Sequence, residues 1–329
     1  MIDLSIALTD NVRTRPVIEG RVAPQGIRFT PSVMTASEMF LRQLKHAEFD
    51  VSEMSLSSLL IATARGDTRW VALPVFTMRR FFHTWTWVRT DRAIETPADL
   101  RGKRVGVPEY QQTAATWARG VLQHEFGVFP HEIEWFMERT PDTSHGGATG
   151  FKPPDGVRIH QIPTRTNIGE MLVGGELDAT LLYLNQTNVV DRSSIDLQTW
   201  PEVRPLFADE IGEGRRFFAR TGLYPINHAM VVRRSLLDRH PWIARNTLAA
   251  FEAAKAEGMR AAAGVLDGYV RTGAADAGLV ASLAADPMPY GVKAARPVLE
   301  TIADYVVEQG LCPYRVRLED VFAPSVMDT

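Results

Sequence analysis

A two-lobed α/β fold is what this sequence predicts, and three observations carry the prediction. Short strand-like runs alternate with helix-like runs over most of the chain, which argues for mainly parallel sheets. The chain has 329 residues, more than one average domain, so two lobes are the default. Hydrophobic residues make up 45% and charged residues 23%, enough apolar chain to fill a core without metal or disulfide staples.

Leu4, Ile6 and Leu8 alternate with smaller residues and read as a first strand, closed by the turn signal Thr9-Asp10-Asn11. A second strand covers 26–30, and Thr35-Ala36-Ser37-Glu38 reads as a capping box that opens a helix to about 47. A third strand at 49–51 runs through Ser52-Glu53-Met54-Ser55 into a helix carrying Leu56, Leu59 and Leu60, which stops at Gly66. Strands follow at 70–76 and 81–88. Thr96-Pro97-Ala98-Asp99 marks a helix start. After a strand at 103–107, Ala114, Trp117, Ala118, Val121 and Leu122 form one face of a long helix ending at Gly127. Residues 139–156 hold several Gly and Pro without periodicity and read as a surface loop. Beyond lie strands at 157–162, 177–183 and 229–233, a short helix at 167–173, and helices at 241–260, 279–284 and 294–308. These elements divide into lobe I, 1–88 plus about 230–329, and lobe II, about 89–229. A ligand cleft between the lobes is expected where strand carboxyl ends meet.

Charge excludes two function classes. The net charge is −3, and basic residues cluster only in doublets such as Arg79-Arg80 and Arg215-Arg216. That is neither a nucleic-acid footprint nor a polybasic membrane anchor, and no apolar run has the length of a membrane span. The opening MIDLSIALTDNVRTRP lacks the basic and apolar segments of a secretory leader, so a cytoplasmic protein is expected. The single cysteine, Cys312, allows no intrachain disulfide and reads as a packed thiol. There is no G-x-G-x-x-G, Walker loop or G-x-S-x-G elbow. His124-Glu125 and His131-Glu132 lack the second His of a zinc-binding helix. The number of subunits is open, a homo-oligomer included.

The order of segments Leu100-Arg101-Gly102-Lys103-Arg104-Val105-Gly106-Val107, helix, then Gly174-Gly175-Glu176-Leu177-Asp178-Ala179 resembles the type II periplasmic-binding-protein fold of nitrate- and taurine-type receptors. A closer resemblance rests on several runs. They are Thr14-Arg15-Pro16, 49–55, Ala64-Arg65-Gly66-Asp67, Leu73-Pro74-Val75-Phe76, Arg104 through Gln111 with Thr113, Tyr224-Pro225-Ile226-Asn227-His228, and Asp286-Pro287-Met288-Pro289-Tyr290-Gly291. Together they resemble the 4,5-dihydroxyphthalate decarboxylase family, most weakly at 139–156 and 185–220. The resemblance implies a receptor fold recruited as a carboxy-lyase, acting on a small aromatic carboxylate. The alternatives are a non-catalytic receptor for an anionic solute, and another enzyme on the same scaffold, as in pyrimidine synthesis for thiamin.

Such a reaction needs a proton for the ring carbon, a cation for the carboxylates and a partner for the ring hydroxyls. His228, before a strand and beside Asn227, is the first proton donor to consider; His83, among aromatics, is the second, with a core histidine as its plainer reading. Glu53 at a strand end would bind or deprotonate a hydroxyl, or else serve as a capping acid. Arg13 and Arg15 follow the first strand and would grip carboxylates in two-pronged fashion. Glu109, Tyr110, Gln111 and Thr113 fill a strand-to-helix turn whose amides suit anions, and Asn185 follows a strand. No cofactor is expected. If a divalent metal took part, His83, His228, Glu53 and Glu109 are the side chains that would have to converge on it.

Overall fold

Apolar alternation at the start of the chain produces β1 (Ile2–Leu8), with Leu4, Ile6 and Leu8 buried. The structure, a computed structural model, describes residues 1–284, 286 and 288–329, so Pro287 of the run at 286–291 lies outside the described residues. β2 (Ile27–Val33) and β3 (Val51–Ser55) flank β1 in parallel. The chain returns late: β11 (Ile226–Arg233) lies antiparallel between β3 and β4 (Trp70–Arg79), giving the order β2-β1-β3-β11-β4.

The second sheet contains β5 (Thr86–Arg89), β6 (Arg104–Val107), β7 (Glu134–Met137), β8 (Arg158–Gln161), β9 (Ala179–Leu181) and β10 (Val203–Pro205). Its order is β10-β5-β9-β6-β7-β8, parallel from β9 to β8 and antiparallel where β5 meets β9 and β10. Each sheet is one lobe, and the chain crosses between them twice. The chain passes from the first sheet to the second between β4 and β5, and returns between β10 and β11. The expected strand at 81–88 is a 3-10 turn, Phe82–Thr84, followed by β5; the aromatic run is a crossing, not a strand.

Two local expectations fail for physical reasons. Segment 139–156 is a surface loop only in part: 150–156 is irregular and largely exposed, but Ser144 caps a short helix, His145–Thr149, by accepting from the Gly147 amide at 2.8 Å, and Arg139, Ser144 and His145 are buried. Two of the glycines there admit close approach: a Cβ on Gly146 would meet Phe151 at 2.9 Å, and one on Gly147 the Pro141 carbonyl at 1.8 Å. The helix expected at 241–260 continues as one rod, Trp242–Arg271, because the Ala- and Leu-containing stretch beyond 260 keeps helix propensity.

The lobes meet through helix Thr113–Phe126, which follows a second-lobe strand yet packs on helix Val292–Glu308 of the first lobe. Trp117 on that helix is 1% exposed and donates its indole N–H to the Ile226 carbonyl of β11 at 2.9 Å. Gly120 permits the approach, since a Cβ there would sit 2.1 Å from the Tyr305 ring. Gly120→Ala is therefore expected to destabilise the fold by about 1–3 kcal/mol through overpacking, read as a lowered urea midpoint; an unchanged midpoint would show that the helices can separate freely.

Candidate active site

A cavity of about 140 Å³ lies between the lobes. Thr35, Ser37 and Phe40 reach it from helix Ala36–His46, Ser55 from the end of β3, and Asn227 and His228 from β11. The second lobe adds Gln112 and Thr113 at a helix start, Arg139 and His145 beyond the carboxyl end of β7, and Gln186 and Asp191.

Its centre is a pair of facing side chains on adjacent strands. In the β3–β11 register His228 lies opposite Ser55 and Met230 opposite Glu53, so Glu53 and His228 are diagonal neighbours. The β11–β4 register shifts at His228, a bulge of the kind that re-aims a side chain. His228 Nδ1 lies 2.9 Å from Glu53 Oε2. The remaining capacity of Glu53 is filled by the Thr9 amide (2.6 Å), the Thr9 hydroxyl (2.7 Å) and the Thr77 hydroxyl (2.5 Å). Burial alone would raise the Glu53 pKa, but the bonds from His228, Thr77 and Thr9 outweigh it and hold the carboxyl below its ordinary range. His228 Nε2 has no hydrogen-bond partner among the described residues, which leaves it as the ring nitrogen able to meet a ligand. The Phe40 ring stands edge-on to the imidazole, centroids 4.7 Å apart.

Arg139 and Asp191 form a second buried pair, Nε to Oδ1 at 2.7 Å, and Arg139 also approaches His145 Nε2 at 3.4 Å. Burial first, then the neighbouring Arg139 and His228, keep the His145 imidazole neutral, well below its ordinary 6.5. Glu109 Oε2 accepts from the His145 amide at 2.9 Å while Oε1 has no partner, and burial pushes this carboxyl up to about 7. The two groups oppose each other. As pH falls below 6.5 the unfolded chain protonates His145 and the folded chain does not, so His145 lowers stability in acid. Glu109 contributes stability below its ordinary 4.5, and that contribution is lost as pH rises through about 7. Glu109→Gln is therefore expected to steepen the loss of stability between neutrality and pH ~5; urea midpoints across that range check this, and an unaltered slope would remove Glu109 from the balance.

Two helix N-termini open onto the same space. Neither Thr35 nor Gln112 makes a side-chain capping bond, so the expected capping box at 35–38 does not form; the Thr113 amide meets Ser55 Oγ at 3.4 Å, and the other first-turn amides stay open to an anion.

The sequence-predicted residues divide sharply. His228, Asn227 and Thr113 line the cavity. Glu53 does not touch it but stands directly behind His228, so it is placed to position that ring and not to hold a hydroxyl. Glu109 and Gln111 are buried just behind the lining; Gln111 accepts from the Ser57 hydroxyl at 2.6 Å through its carbonyl, tying lobe to lobe. The others lie elsewhere. Arg15 is exposed and pairs with Asp10 at 2.9 Å. Arg13 turns under the sheet edge to the Thr77 carbonyl, 2.9 Å away, and to Met288. Tyr110 is buried beneath the Arg119 guanidinium, 3.7 Å from its ring centre. Asn185 is exposed between two lining neighbours, Leu184 and Gln186. His83 packs among Phe81, Phe207 and Phe217 and meets Glu213 at 3.0 Å, outside the cavity. Among the described residues, no group of three or more His, Cys, Asp or Glu side chains is arranged to hold a metal ion, and His83, His228, Glu53 and Glu109 do not converge.

Arg139, His145, Asp191 and Phe40 were absent from the sequence reading. Arg139 carries a usable signal, its place just beyond the apolar run at 135–137 that forms β7.

No family model matches the chain. The 4,5-dihydroxyphthalate decarboxylase of Comamonas testosteroni is 36% identical over 255 residues, 78% of this chain and 75% of the relative. A protein of the same name from Pseudomonas putida is 38% identical over 180 residues, 55% of this chain and 70% of the relative. Among solved structures, the alkanesulfonate-binding protein SsuA of Xanthomonas axonopodis pv. citri, bound to MOPS, matches with a TM-score of 0.55 at 17% identity, over 98% of this chain and 97% of that one. The desulfurization enzyme DszB matches at 0.54 and 15%, over 100% and 98%. These likenesses show the fold, a periplasmic-binding-protein scaffold of two α/β lobes, and the sequence relatives show the rest of the kinship: the chain belongs to the 4,5-dihydroxyphthalate decarboxylase family.

Proposed function

We propose that the protein removes carbon dioxide, without oxidation, from a hydroxylated aromatic diacid of the 4,5-dihydroxyphthalate type. The observation that carries this reading is the buried Glu53–His228 pair, whose free ring nitrogen borders the cavity between the lobes. That cavity also holds Arg139 and two uncapped helix starts. At about 140 Å³ the cavity is far smaller than the ~300–1,000 Å³ of drug-sized sites, in keeping with a single substituted ring.

In such a diacid each ring hydroxyl is para to one carboxylate. Electron release from that hydroxyl places negative charge on the carbon bearing the scissile carboxylate. His228 Nε2 gives its proton to this carbon, the carbon–carboxylate bond breaks, its electron pair returns to the ring, and CO2 leaves. The imidazole then regains a proton from solvent, so atoms and charge balance. Glu53 holds the ring by Nδ1 and faces the charge it carries when protonated. Arg139 and the open amides receive the carboxylates, and Asp191 is the acceptor for a ring hydroxyl. The scissile group benefits from the Phe40 and Phe82 side, where desolvation favours neutral CO2 over carboxylate.

The direct test incubates the purified protein with 4,5-dihydroxyphthalate and follows CO2 and protocatechuate. Tight binding with no product would favour a receptor. Fractionation of cells producing the protein would test our placement of this activity in the cytoplasm. Within the reading, Arg139→Ala is expected to weaken diacid binding by roughly tenfold to a hundredfold, the worth of a charged hydrogen bond. Equal losses for a diacid and an uncharged ring analogue would show that Arg139 serves packing alone.

A further inference from the structure

A second ligand surface lies outside the cleft, across the two crossings that join the lobes. It is a groove of about 550 Å³ lined by Arg80, Phe81, Trp85, Arg215, Phe218 and Tyr224. Phe81 and Tyr224, one from each crossing, stack with centroids 4.7 Å apart and planes 27° from parallel. Arg80 stands over the Trp85 ring at 4.2 Å. On helix Glu210–Thr221, Phe218 is 42% exposed, so the apolar lining is open to a partner.

Two of the arginine doublets of the sequence explain its charge. In each doublet one guanidinium is occupied internally: Arg79 reaches the Tyr224 and Pro289 carbonyls, and Arg216 pairs with Glu213 and Glu125. The other member, Arg80 or Arg215, makes no side-chain hydrogen bond or ion pair among the described residues and lines the groove. Against them stands one carboxylate of the described lining, Glu210. Beneath, His83 fastens helix Glu210–Thr221 to the first crossing through Glu213 at 3.0 Å, which gives the groove a fixed floor.

We propose that this groove is a separate binding site for a planar aromatic carboxylate larger than one ring. Stacked rings supply the face, and the free guanidiniums supply the two-pronged grip. The proposal stands apart from the decarboxylase reading, because it is tested by binding alone. The probe is 2-naphthoate, added to the full chain and followed by calorimetry and tryptophan fluorescence; the Arg80 and Arg215 changes, not its size, distinguish the groove from the cleft. One equivalent is expected to bind, with a fluorescence change that disappears in Trp85→Phe. Arg80→Ala/Arg215→Ala is expected to bind at least about tenfold more weakly, as is the neutral 2-naphthalenemethanol to the unaltered protein. Arg80 and Arg215 are both exposed, and a thermal melt of the double variant confirms its fold. Unchanged affinity in that variant, or no saturable binding by the unaltered protein, overturns the proposal.

Discussion

His228→Ala is expected to lower kcat by about 10²–10⁴-fold, the usual worth of a positioned proton donor, while KM for the diacid changes only a few-fold. The reason is where the proton goes. Carboxylate binding is assigned to Arg139 and the open helix starts, none of which contacts His228 through a hydrogen bond. What His228 adds is the transfer itself, made only as the C–C bond breaks, so its loss falls on turnover. Steady-state rates with 4,5-dihydroxyphthalate decide it. A variant that keeps most of its kcat would assign the proton to another group, with His145 the nearest alternative in the cavity.

Glu53→Ala is expected to do two things at once. It leaves the Thr9 amide, the Thr77 hydroxyl and His228 Nδ1 without their common partner in the interior. Removing one member of a buried pair destabilises by about 3–5 kcal/mol, which urea denaturation would register. Glu53→Gln separates the roles. The amide oxygen still accepts hydrogen bonds, so stability should recover in part, whereas kcat should stay low because no negative charge faces the imidazole. Recovery of kcat along with stability would reduce Glu53 to a scaffold residue.

Parts of this arrangement were legible without coordinates because they rest on local pattern. Alternation at Leu4, Ile6 and Leu8 produced β1, and helix Thr113–Phe126 follows from its apolar face and terminal Gly127. Tyr224 through His228 pointed to a ring that lines the cavity, because the run opens a strand. What was not legible depends on the meeting of distant segments. Arg15 lay in a suggestive run, yet Asp10, five residues away, captures it on the surface. His145 sits in a stretch whose glycines imitate a loop, while Phe151 and Pro141 lie close against Gly146 and Gly147. Periodicity reports which face is buried, not which neighbour buries it. For that reason His83 and His228, similar in their aromatic or Pro-bearing settings, ended in different places.

The hydroxyl knot at the lobe junction has a consequence for the spacing of the lobes. Thr113 Oγ1 meets Ser55 Oγ at 2.8 Å and accepts the Ser57 amide at 2.9 Å, and the Ser57 hydroxyl reaches across to the Gln111 carbonyl. The cavity is partly open, and those bonds fix how far apart its two walls stand. Any widening of the gap between the two halves must first break that clasp, so it favours a single spacing of the walls around whatever lies inside.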